Sequence, residues 1–122
     1  TGHACVNCRK MEENVWGEPG VIEMLTNNFV IISLYVDDKR DLPINEQKEV
    51  EIYEGKMKKL KTIGNKWSHY QATKYKVNTQ PYYRILSPNG EDLDIGSADY
   101  EHHGNADDFS AWLSEGLELF KN

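Results

Sequence analysis

Only one stretch of this chain, FVIISLYV from Phe29 to Val36, is apolar on both faces of an extended backbone. Such a run predicts a strand buried on both sides, as in a sheet covered by helices. The helical segment VIEMLTNN leads into it, and the order helix then continuous apolar strand belongs to α/β architecture. A covered sheet needs more than one strand of this kind, and the chain offers no second. The sequence therefore reads as an α/β domain short of central strand.

A length of 122 residues suffices for one core and not two, so residues 1–122 read as a single domain. With 14 Lys+Arg against 20 Asp+Glu the net charge is −6, which argues against nucleic acid as the main partner. The lysines gather in KMKKLK, Lys56 to Lys61, but EQKEVEIYE precedes them. The two runs are expected to neutralise each other on a solvated face. No segment approaches the length of a membrane span, so direct membrane insertion is not expected, and no signal peptide opens the chain. It begins at Thr1 rather than Met and is read as an excised or processed fragment.

Along the chain, Cys8, Met11 and Val15 share one face of a helix expected from Cys5 to about Val15, broken by WGEPG. Two alternating segments around Glu54-Gly55 predict an exposed hairpin at about 46–62. Trp67 and Tyr70, one turn apart, place a helix at about 65–76. QPYYRILSPNGEDLDIG reads as strand, turn at Pro88-Asn89-Gly90, strand. The last segment predicts an amphipathic helix with Phe109, Trp112, Leu113, Leu117 and Phe120 on one side and Asp107 or Asp108 as its cap.

The chemistry rests on Cys5 and Cys8, the two cysteines of the chain. Haem attachment needs a histidine at position 9, which is Arg9. Structural zinc needs four ligands, and His102-His103 could complete the set only with unusual spacing; His3 and His69 are the remaining histidines. A plain staple across so short a loop removes little unfolded-state entropy. Redox chemistry fits best. A cysteine at the first turn of a helix faces unpaired amides and the positive dipole end, conditions that lower a thiol pKa from ~8.5 to as low as ~3.5–7.5. Cys8 follows one turn later, close enough to resolve a mixed disulfide but facing the core. Tyr35, Asp37 and Asp38 could line the site at the strand's carboxyl end, with Asp37 a guess for a proton-handling group. His102 and His103 are expected in a surface loop.

In order, TGHACVNCRKMEENVW, NNFVIISLYVDD and VNTQPYYRILSPNGEDL resemble a thioredoxin-fold protein. More narrowly, they resemble the C-terminal domain of the DsbD-like, cytochrome c biogenesis-associated thiol:disulfide interchange reductases. The resemblance implies a thioredoxin-like fold with a central sheet flanked by helices. Cys5 matches the attacking cysteine, Cys8 the resolving one, and Pro81 a cis-proline facing them. Gln80 would pair its backbone with an extended substrate. Ala4 stands where thioredoxins carry Trp, so substrate contact there differs; Val6 and Asn7, between the cysteines, would tune thiolate stability without a fixed charge. The family's apolar strand before the cysteine helix has no counterpart, so the domain is expected to be N-terminally truncated. The polar stretch from about Lys39 to Ile63 is longer than the fold requires and reads as a decoration or docking surface.

The function expected from the resemblance is a thiol–disulfide oxidoreductase, a reductase of exported protein disulfides. Its partners would be protein thiols and disulfides, and a membrane-embedded electron-donor domain. Localisation would be periplasmic or exported and bacterial. No metal or organic cofactor is expected beyond a redox-active Cys5–Cys8 disulfide. The alternatives are a non-catalytic binding module on the same fold and a zinc site at the cysteines.

Overall fold

A computed structural model describes residues 1–121. The helix after the cysteines starts as α1 (Val6–Met11) and continues as a π-helical turn over Glu12–Trp16 before stopping at Gly17. Helix α2 (Pro19–Asn28) opens on a proline, whose fixed φ suits a first helical position. A short 3-10 turn at Ile44–Glu46 leads to strands β1 (Lys48–Tyr53) and β2 (Lys56–Leu60), then helix α3 (Ile63–Tyr75). Strands β3 (Tyr82–Tyr83) and β4 (Ala98–Asp99) pair antiparallel, followed by α4 (Tyr100–His103) and α5 (Ala106–Lys121). These elements form two compact units: Thr1–Ala4 with Ser33–Thr79, and Cys5–Ile32 with the chain from Gln80 onward.

In the unit carrying the cysteines, α1, the π-turn, α2 and α5 close over β3 and β4. Met11, Val15, Val21, Leu25, Ile85, Ala98, Phe109, Trp112 and Leu113 form one buried cluster. The cysteine helix enters this cluster through Met11 and Val15, the face that the sequence spacing predicts. Trp112 buries its ring and satisfies its indole N–H on the Gly96 carbonyl, 3.3 Å away. The α5 stripe holds at Phe109, Trp112 and Leu113 but runs out towards the end, where Phe120 is 52 % exposed. The cap also differs from expectation. Asn105 accepts the Asp108 N–H at 2.9 Å, while Asp107 and Asp108 lie in the first turn, where the helix dipole favours acids.

In the other unit the hairpin forms as the alternation predicts. Gly55 takes φ +77 at its turn, a conformation that side-chain-bearing residues rarely adopt. Helix α3 begins two residues earlier than its aromatic spacing suggests, because Thr62 and Asn65 cap it reciprocally. Thr62 Oγ1 accepts the Asn65 N–H at 3.1 Å, and Asn65 Oδ1 accepts the Thr62 N–H at 3.2 Å. At the second position of the helix Gly64 donates its N–H to the Asp38 carbonyl at 2.9 Å, and a Cβ there would stand 2.5 Å from the Val36 oxygen. The Gly64→Ala chain is therefore expected to lose about 1–3 kcal/mol, read from urea unfolding. A gain, the usual result of Gly→Ala inside an exposed helix, would contradict the close approach.

The buried strand expected at Phe29–Val36 does not form. No strand pairs with the segment among the described residues, and Val30, Ile31 and Ile32 are 90 %, 49 % and 77 % exposed. An extended segment becomes interior only when neighbours bond its edges and cover its faces. The backbone of Thr1 pairs with its far end, taking the Val36 N–H at 2.9 Å and donating to the Leu34 carbonyl at 3.0 Å. The sheets present are instead two separate antiparallel pairs.

Candidate active site

Cys5 is the N-cap of α1, with an extended backbone at φ −85 and ψ 106, and its Sγ accepts the Cys8 N–H at 3.2 Å. The cysteines are disulfide-bonded, with their Cα atoms 5.2 Å apart. Their exposure is unequal. Cys5 is half-buried, whereas Cys8 is 1 % exposed and lies on the helix face that packs inward. Between them Val6 projects outward at 66 % exposure and Asn7 is half-buried.

The Gln80–Pro81 peptide is cis, as the resemblance implies, and Pro81 is buried at the start of β3. Two residues on stands Tyr83, which no sequence motif marks. Its ring meets Trp16 at 5.9 Å and Phe109 at 5.5 Å between centroids. Burial pushes its phenol well above the usual range, and the Glu12 carboxylate pushes further in the same direction. Glu12 is also the partner of Arg9, at 2.8 Å across one helical turn. An Arg-x-x-Glu spacing was the readable signal for that pair.

The other expected site residues fall in the second unit. Asp37 does not stand as a free proton carrier. Its two oxygens accept the backbone N–H groups of His3 (2.8 Å) and Ala4 (3.0 Å), and these bonds, Ala4 first, hold its carboxyl below the usual range. It fixes the segment that ends at Ala4. Tyr35 stacks on His3 with ring centroids 4.0 Å apart. Asp38 is engaged by Arg40 at 2.7 Å, which lowers its carboxyl to about 2.

The two histidines of the alternative metal reading have structural partners. The Asp99 carboxylate caps α4 through the His102 N–H at 2.7 Å and lies 2.9 Å from the His102 ring, while His103 Nδ1 accepts the Asp99 N–H at 3.3 Å. They end a short helix, Tyr100–His103, rather than lying in a loop. Among the described residues no group of three or more His, Cys, Asp or Glu is placed to hold a metal ion.

A capped, half-exposed cysteine bonded to a buried one is the arrangement of a thiol pair open to exchange from one side. The chain matches the model of the thioredoxin-like domain over residues 1–103. It belongs to that family. No curated protein matches it. The α/β class and the thioredoxin-like fold hold for this thioredoxin-like domain, although its strands are fewer and shorter than the sequence suggests. Its CxxC-spaced disulfide supports thiol–disulfide oxidoreductase chemistry.

Proposed function

We propose that the chain is a protein-disulfide reductase of the DsbD-like, cytochrome c biogenesis-associated kind, acting on exported proteins in a bacterial periplasm. The observation that carries the reading is the asymmetry of the pair: Cys5 is half-buried with its Sγ on the Cys8 amide, while Cys8 is buried. In the reduced protein that amide and the helix dipole favour the Cys5 thiolate. The thiolate attacks one sulfur of a substrate disulfide, the other sulfur leaves as a thiolate and takes a proton, and a mixed disulfide forms. Cys8, deprotonated in turn, attacks Cys5 Sγ and releases the second substrate thiol. The substrate gains two electrons and the Cys5–Cys8 disulfide is restored. A donor dithiol, in this reading a membrane-embedded partner domain, reduces the pair for the next cycle.

Gln80 and the buried Pro81 supply the strand that a substrate backbone would meet, and Ala4, Val6 and Asn7 border the reactive sulfur in the chain. Val6 and Asn7 bring no charge to stabilise a thiolate strongly, which supports a reductant over an oxidant. The chemistry needs no metal or organic cofactor. The test is the reduction potential of the pair, obtained by equilibration in graded thiol buffers and counting alkylated cysteines by mass. A single two-electron transition near about −270 mV is expected. A value near about −120 mV would reverse the direction, and a pair that never oxidises would end the reading.

A further inference from the structure

Of the hairpin lysines, Lys59 faces Glu49 across the sheet, but Lys48 and Lys58 lie on the opposite face. The register pairs Lys48 with Leu60 and Val50 with Lys58, and pairs Glu49 with Lys59 and Glu51 with Met57. Side chains alternate between faces along a strand, so Lys48, Val50, Lys58 and Leu60 share one face and Glu49, Glu51, Met57 and Lys59 share the other. Glu49 and Glu51 therefore lie behind the sheet, together with Lys59. The face they leave is basic around an apolar centre, with Leu60 buried and Val50 half-buried.

That face continues into a groove of about 650 Å³ lined by Lys48, Leu60, Lys66, Trp67, Tyr70 and Lys74. Trp67 and Tyr70 meet edge to face with centroids 6.2 Å apart. The Lys66 ammonium lies 5.2 Å from the Trp67 ring and the Lys74 ammonium 5.6 Å from the Tyr70 ring. One carboxylate lines the groove, Glu46, and it is bonded to Lys66 at 3.0 Å. In a chain of net charge −6 this is a local excess of positive charge over aromatic and aliphatic surface.

We propose that the groove binds an acidic, extended segment of a partner protein that carries a large apolar side chain. Carboxylates on the segment would meet Lys48, Lys58 and Lys74, and the apolar side chain would cover Leu60, Trp67 and Tyr70. Charge complementarity selects this occupant. A nucleic acid presents a continuous line of phosphates, which the overall negative charge of the chain repels beyond the groove. All groove residues belong to the unit without the cysteines, so the proposal does not rest on the redox reading.

The test uses the whole chain carrying Cys5→Ser and Cys8→Ser, which removes covalent capture. Fluorescence anisotropy follows a labelled peptide of alternating Glu and Leu with a central Phe, at physiological salt. Lys58 and Lys59 are adjacent, exposed and on opposite faces, so K58E and K59E change net charge equally. K58E is expected to weaken binding about threefold or more and K48E/K58E about tenfold, while K59E stays within about twofold because the other face is a Debye length away. Equal loss in K58E and K59E would overturn the proposal as a net-charge effect. So would equal binding of a Lys/Leu peptide, tighter binding of oligothymidylate, or no saturable binding of the acidic peptide.

Discussion

The Cys8→Ser chain, mixed in reduced form with a protein disulfide, is expected to stop as a covalent complex held through Cys5. Cys5, the less buried of the two, can still attack, but no second thiol remains to release the product. Non-reducing gels and intact mass would show an adduct of the two proteins that dithiothreitol dissolves. Cys5→Ser leaves only a thiol that is 1 % exposed and is expected to lose turnover by a factor on the order of 10³ or more, with no adduct. Trapping by Cys5→Ser as efficient as by Cys8→Ser would invert the roles and remove the basis for naming Cys5 the nucleophile.

Phe109→Ala is expected to lose about 3–5 kcal/mol of stability, the cost of truncating a large buried side chain. Phe109 is 2 % exposed, meets Tyr83 at 5.5 Å and Trp112 at 5.7 Å between ring centroids, and belongs to the cluster into which the cysteine helix packs. The cavity would open under β3, next to Pro81 in sequence. Urea unfolding followed by tryptophan emission and far-ultraviolet circular dichroism measures the loss, and a shift below about 1 kcal/mol would mean that the cluster is looser than its burial indicates.

The parts legible in the sequence are those governed by neighbours along the chain. The i, i+3, i+7 spacing of Cys8, Met11 and Val15 gave the cysteine helix its inward face, and Glu54-Gly55 marked the hairpin turn. The start of α3 was misplaced because its cap is a Thr-x-x-Asn pair rather than the commoner box ending in Glu or Gln. Phe29–Val36 was misread for a different reason. Hydrophobicity says that a segment could be buried, but only the presence of bonded neighbours makes it so. At the site, the cysteine pair was readable from spacing, and the cis-proline only through a family likeness. The packing of Tyr83 against Trp16 and Phe109 was not readable, because it joins residues distant in the chain. The neutralisation expected of the lysine run holds for Lys59 opposite Glu49 but not for Lys48 and Lys58, because linear charge balance ignores the strand's two faces.

The bare run at Val30–Ile32 has a consequence for the chain as a solute. The eight residues from Phe29 to Val36 contain no charge, proline or glycine, and such windows are templates for intermolecular cross-β association. Colloidal stability should therefore be limited by this one patch, apart from how firmly the cores hold. Ile32→Lys, at a site already 77 % exposed, is expected to lower static light scattering on concentration and leave the urea midpoint unchanged. Folding strength and solubility would then be separate properties of this molecule, each adjustable without the other.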